Sequence, residues 1–144
     1  MEITPLLNQI GKELIHKLEE EFKSNLMALA FYGSRVRGDN FPDSDLDLLI
    51  ILNEFDDDEM LLPISKICGE LSLKYKISIS PYAISSDDFK YGCENLFPFN
   101  LGIYLGCYPF YGEEFINKSH SFILKAIQEG KLVVYPDSGI FIQR

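Results

Sequence analysis

Residues 26–52 read LMALAFYGSRVRGDNFPDSDLDLLIIL, two apolar runs joined by a polar, glycine-containing segment. The first run, Leu26 to Tyr32, is short and closed by Gly33, which predicts a buried strand entering a turn. In the second, Asp45 to Leu52, the block Leu48-Leu49-Ile50-Ile51-Leu52 is apolar at both parities, so neither face of that strand is expected to meet water. Two strands of this kind pair at the centre of a sheet. What they carry at their facing ends is Gly33-Ser34 on one side and Asp45-Leu46-Asp47 on the other.

Working outward, Thr4-Pro5 opens a helix, because threonine caps free N–H groups and proline suits the first helical position. Leu7, Ile10, Leu14, Leu18 and Phe22 give it one apolar face, and Ser24-Asn25 ends it. After the second strand an acidic cluster, Glu54 and Asp56 to Glu59, precedes Met60, Leu61, Ile64, Ile67, Cys68 and Leu71 at helical spacing, although Pro63 leaves the start open. Ile77-Ser78-Ile79-Ser80-Pro81 alternates as a strand with one face on the core, and its proline predicts an edge or a strand end. Ser85-Ser86-Asp87-Asp88 resembles a helix cap. Phe89 to Tyr111, rich in aromatics and glycine and holding Pro98 and Pro109, gives no regular period. A closing helix over Glu113 to Glu129, stopped by Gly130, and a short strand Leu132 to Tyr135 complete the order. The sum predicts an α/β (α+β) fold, a small mixed sheet flanked by helices, in a single domain over residues 1–144.

Composition narrows the function classes. Hydrophobic residues make up 47% and charged residues 24%, as in soluble globular proteins, and no apolar run reaches membrane-spanning length. Met1 is followed by acidic Glu2, not by a basic and then apolar leader. The formal net charge of −9 opposes binding of long DNA or RNA, whose affinity rests on Lys and Arg neutralising phosphates. Three cysteines, Cys68, Cys93 and Cys107, lack CxxC spacing and lie far from His16 and His120, so zinc or a disulfide framework is not expected and a reducing cytoplasm fits.

The chemistry concentrates where the two strands meet. Asp45 and Asp47, two residues apart on one strand, project from the same face with origins about 6 to 7 Å apart. Two carboxylates at about 6 Å repel by roughly 3 kcal/mol at an effective dielectric near 20, and a divalent cation between them reverses that sign. Magnesium, which takes carboxylate and phosphate oxygens together, suits such a pair. Gly33 lets the backbone approach a phosphate, Ser34 adds a hydroxyl and N–H groups at a helix start, and Arg35 or Arg37 can add charge-assisted contacts. Taken singly, a Gly-Ser after a strand is an ordinary turn and an Asp-x-Asp is an ordinary solvated strand entry; joined at this spacing they describe one site.

The stretch Gly33-Ser34-Arg35-Val36-Arg37-Gly38 followed by Ser44-Asp45-Leu46-Asp47-Leu48 resembles the signature of the DNA polymerase β nucleotidyltransferase superfamily, and Arg37-Gly38, Ser44 and Leu48 resemble its small branch, the minimal nucleotidyltransferases. The resemblance is strong from Phe31 to Leu52 and looser over Ser78-Ile79-Ser80-Pro81 and Glu129-Gly130 with Leu132 and Tyr135. It implies that Asp45 and Asp47 hold the magnesium, that Gly33 and Ser34 contact the triphosphate, and that ATP is the substrate. It further implies a HEPN-type partner protein, AMP being transferred to a partner tyrosine in a toxin–antitoxin pair.

One departure stands out. The family commonly places a third carboxylate on a later strand, and the matching strand here offers Ser78 and Ser80, a neutral residue type that is a poor base. Glu70, Asp87 and Asp88 are the substitutes to consider. Three readings therefore stay open: transfer of AMP to a protein hydroxyl, a catalytically weak module that masks its partner through aromatics such as those from Phe97 to Tyr111, and transfer to a small molecule such as an aminoglycoside. Nucleotide preference and oligomeric state are not legible.

Overall fold

The computed structural model of the chain describes residues 3–37, 44–135 and 139–142. Helix α1 runs Pro5–Phe22 and starts as its sequence dictates: the Thr4 hydroxyl accepts from the Leu7 N–H at 3.2 Å and proline occupies the first turn. Its stripe of Leu7, Ile10, Leu14 and Leu18 is buried. A single 3-10 turn, Lys23–Asn25, delivers the chain into strand β1, Leu26–Tyr32. Then come the short helix α2, Ser34–Arg37, and strand β2, Leu46–Leu52. Helix α3, Asp57–Tyr75, is capped by the Asp56 carboxylate, which accepts from the Asp58 N–H at 3.0 Å, and it carries Pro63 inside its span.

Strand β3 runs Ile79–Ser85, followed by α4 (Ser86–Glu94), α5 (Pro98–Leu105), β4 (Cys107–Tyr111), α6 (Glu113–Gln128), β5 (Leu132–Tyr135) and β6 (Gly139–Ile142). The four-stranded sheet has the order β3-β2-β1-β4: β1 lies antiparallel to both β2 and β4, while β2 and β3 run parallel with α3 as their crossover. The fold is the mixed α/β arrangement that the sequence predicts, with β1 and β2 central. Both core strands are buried almost throughout because helices cover both faces. Leu29, Phe31, Leu46, Leu48, Ile50 and Leu52 face α1 and α3, whereas Ala28, Ala30, Leu49 and Ile51 face α4, α5 and α6.

Three strands differ from expectation, each for a local reason. β3 does not stop at Pro81 but passes through it to Ser85; it is an edge strand, where a missing N–H can face away from the ladder. β4 lies hidden in the aromatic stretch and contains Pro109, tolerated on the opposite edge for the same reason. β6 pairs antiparallel with β5 in a second, two-stranded sheet that no sequence pattern announced. The Ser85 hydroxyl accepts from the Asp88 N–H at 3.1 Å, so the cap read at the start of α4 is present. Among the described residues no helix is long and apolar enough to cross a membrane.

Candidate active site

The turn after β1 is built on glycine for two reasons. Gly33 has φ +89, a backbone region that side chains disfavour, and a Cβ placed there would overlap the Asp47 carboxylate. Its N–H donates to the Gly106 carbonyl at 3.2 Å and its own carbonyl accepts from the Val36 N–H at 3.2 Å, which fixes the turn between β4 and α2. The Gly-Ser half and the Asp-x-Asp half of the motif, fourteen residues apart in sequence from Gly33 to Asp47, thus touch in space. Ser34 opens α2 and is half-buried.

Arg35 tightens the same junction: its Nε donates to the Ser44 carbonyl at 2.6 Å, tying α2 to the residue that precedes Asp45. The backbone of Arg37 ends α2, and Gly38, Asp39 and Asp43 lie outside the described residues.

Asp45 sits exposed just before β2, and Asp47, the second residue of that strand, is half-buried. Strand parity places both on the sheet face that also carries Leu49 and Ile51. Asp47 lies opposite Tyr32 of β1 and, on its other side, opposite Ser80 of β3; the Leu46 N–H donates to the Ser78 carbonyl at 2.8 Å, setting this register. The position flanking Asp47 is therefore occupied by a serine.

None of the substitute acids reaches that point. Glu70 points outward from α3 toward Lys17 at 3.9 Å. Asp87 and Asp88 occupy the first turn of α4, beyond the Leu52–Ser85 end of the parallel pair, about 17 Å of strand away from Asp47. There Asp87 shares an open depression with Ser24, Asn25, Asn53 and Glu54. Among the described residues no three His, Cys, Asp or Glu side chains converge on one point.

Around Asp47 the structure adds aromatic groups that no spacing in the sequence marks. Burial, the Asp47 charge and then Tyr82 push the Tyr32 phenol up to about 12, so it stays protonated beside the carboxylate. The Phe99 ring centroid lies 6.3 Å from that of Tyr32 and 4.4 Å from that of Tyr82. The cysteines and histidines take no part. Burial raises the thiols of the buried Cys68 and the half-buried Cys107 to about 12 and that of the buried Cys93 to about 11. His120 is buried between Phe89 and Tyr104, and desolvation lowers it to about 4. His16 is exposed on α1, 3.7 Å from Glu20.

Residues 12–97 match the family described as nucleotidyltransferase domain. Two proteins of Methanocaldococcus jannaschii, whose names propose protein adenylyltransferase activity, are similar to the chain. One is 36% identical over 81 residues, which is 56% of this chain and 78% of the relative. The other is 30% identical over 78 residues, 54% of this chain and 73% of the relative. Among solved structures, a toxin–antitoxin crystallised with AMP-PNP matches at a TM-score of 0.50 with 15% identity, covering 84% of this chain and 91% of that one. At that identity the likeness is one of fold.

Proposed function

Because the chain belongs to the nucleotidyltransferase domain family, we propose that it transfers AMP from ATP, with magnesium, to a tyrosine hydroxyl of a HEPN-type partner protein and thereby acts as an antitoxin. The observation that carries this reading is the contact of the Gly33 turn with Asp47: a turn that needs glycine for closeness to a carboxylate leaves phosphate and cation sharing one small space. The adenylyl chemistry is supported by the names of the two archaeal relatives, and the partner by resemblance to minimal nucleotidyltransferases.

Asp45 and Asp47 are the side chains that would hold the cation, two carboxylates on one strand face beside the Gly33 turn. When bound, magnesium supplies neutralisation of the triphosphate charge. Ser34 and the backbone N–H groups at the start of α2 orient the phosphates, and Arg35 and Arg37, next along the sequence, are the candidate cations. Arg35 also donates to the carbonyl of Ser44, the residue before Asp45. The acceptor oxygen attacks the α-phosphorus in line, the bond to the leaving pyrophosphate breaks, and the acceptor proton passes to a base. Ser80 beside Asp47 cannot be that base, which leaves the task to Asp47, to solvent or to the partner.

The test is incubation with a HEPN partner, magnesium and labelled ATP. The partner becomes labelled on tyrosine; a partner left unlabelled beside a working control would overturn the assignment. That same Ser80 favours a second reading, a weakly catalytic module that neutralises by contact. Neutralisation that survives Asp45→Asn with Asp47→Asn would select it, whereas loss of neutralisation with retained partner binding would select transfer.

A further inference from the structure

We infer that Tyr82 and Phe99 form the wall against which the purine of the bound nucleotide stacks; this rests on the nucleotide-transfer reading and names the part of the site that recognises the base. The parallel register sets Ser80 beside Asp47 and Tyr82 beside Leu49, all on one sheet face. Tyr82 is thus one strand across and two residues along from Asp47, about 8 Å away at the backbone. That is close to the separation a ribose imposes between its 5′-phosphate and its base.

Phe99, in the first turn of α5, leans on Tyr82 with ring centroids 4.4 Å apart and reaches toward Tyr32, which lies across from Asp47. The three rings make a continuous path from the carboxylate to solvent. Its outer members keep 42% (Tyr82) and 37% (Phe99) of their surface exposed, so a flat apolar partner has surface left to cover. The path is uncharged, which suits a neutral base and not a phosphate. Stacking on aromatic rings accepts any base, and its strength grows with ring area, so ATP and GTP should bind more tightly than CTP and UTP.

The chain has no tryptophan, so Phe99→Trp installs a single indole at the wall. With magnesium, ATP should change its fluorescence while inorganic tripolyphosphate, which carries no base, binds without doing so. In calorimetry, Phe99→Ala and Tyr82→Ala should each weaken ATP about tenfold and leave tripolyphosphate affinity unaltered, in line with the known strength of base stacking. Phe99→Leu, which keeps apolar bulk, should show the same loss and so separates stacking from folding. Tripolyphosphate bound as tightly as ATP, or ATP affinity unmoved in all three variants, overturns the base wall while leaving the phosphate site standing. Variants that bind ATP normally but fail to label the partner reassign the wall to the acceptor. No magnesium-dependent binding of either ligand overturns both the wall and the transfer reading.

Discussion

The parallel pair β2–β3 has acidic residues at each end, in two different settings. At the end where β2 and β3 finish, Asp56 to Glu59 and Asp87-Asp88 sit in the first turns of α3 and α4. Their negative charge is answered there by backbone: the Asp56 carboxylate accepts the Asp58 N–H, and the helix ends offer their own positive poles. At the end where the strands begin, Asp45 and Asp47 have no helix of their own. Asp47 lies against the Gly33 turn, where a Cβ on residue 33 would overlap its carboxylate. Acidity alone therefore says little: one set of carboxylates lies in helix first turns, and the other lies against the Gly33 turn, where the proposed function places the cation.

The largest way to break this contrast is to remove the charge at the working end. Asp47→Asn should lower adenylyl transfer by at least about a hundredfold, because metal stabilisation of developing charge is worth several kcal/mol and each tenfold corresponds to about 1.4 kcal/mol. A transfer rate within a few-fold of the parent would move the cation elsewhere. Gly33→Ala comes next. It forces a Cβ into the Asp47 carboxylate at φ +89, so transfer should fall and urea denaturation should show a loss of about 1–3 kcal/mol. Full stability in that variant would mean that the turn and the acid are not pressed together.

Much of the fold is readable from residues 26–52 alone. Apolar runs of strand length closed by glycine announced β1 and β2, and the Thr4-Pro5 cap announced α1. The meeting of the Gly33-Ser34 turn with the Asp45-Leu46-Asp47 strand entry is legible because it follows from two neighbouring strands. Tyr32, Tyr82 and Phe99 were not, because what joins them is register between β2 and β3 and the first turn of α5, neither of which leaves a periodic trace. β4 escaped because its five residues include Pro109 and run straight on from a helix. The parity of β3 was readable, but which of Ser78 and Ser80 lies beside Asp47 was fixed only by pairing.

That register allows the comparison to be sharpened by gain instead of loss. Ser80→Asp would place a third carboxylate directly across from Asp47, supplying both a further cation ligand and a base. Single-turnover labelling should rise, by about tenfold if proton removal limits the rate, which is below the ~10² to 10⁴ that a well-placed base contributes. An unchanged rate would show that the partner supplies the base. A rate lowered together with stability would show that two carboxylates already saturate the space.

The smallest effect is expected at the other end of the strands, and it closes the contrast. Asp87→Asn with Asp88→Asn removes two charges from the first turn of α4, where each contributes about 0.3–1 kcal/mol through the helix dipole at low salt. The Ser85 hydroxyl still accepts the Asp88 N–H, so the cap itself survives. Denaturation midpoints should therefore drop slightly and the drop should shrink at high salt, because these charges are solvent-exposed and screened. Transfer should remain at the parent rate, since about 17 Å of strand separates this turn from Asp47. A double variant that loses transfer while keeping its fold would show that the two acidic ends are coupled, and that an acid on α4 stands in for the one missing at Ser80.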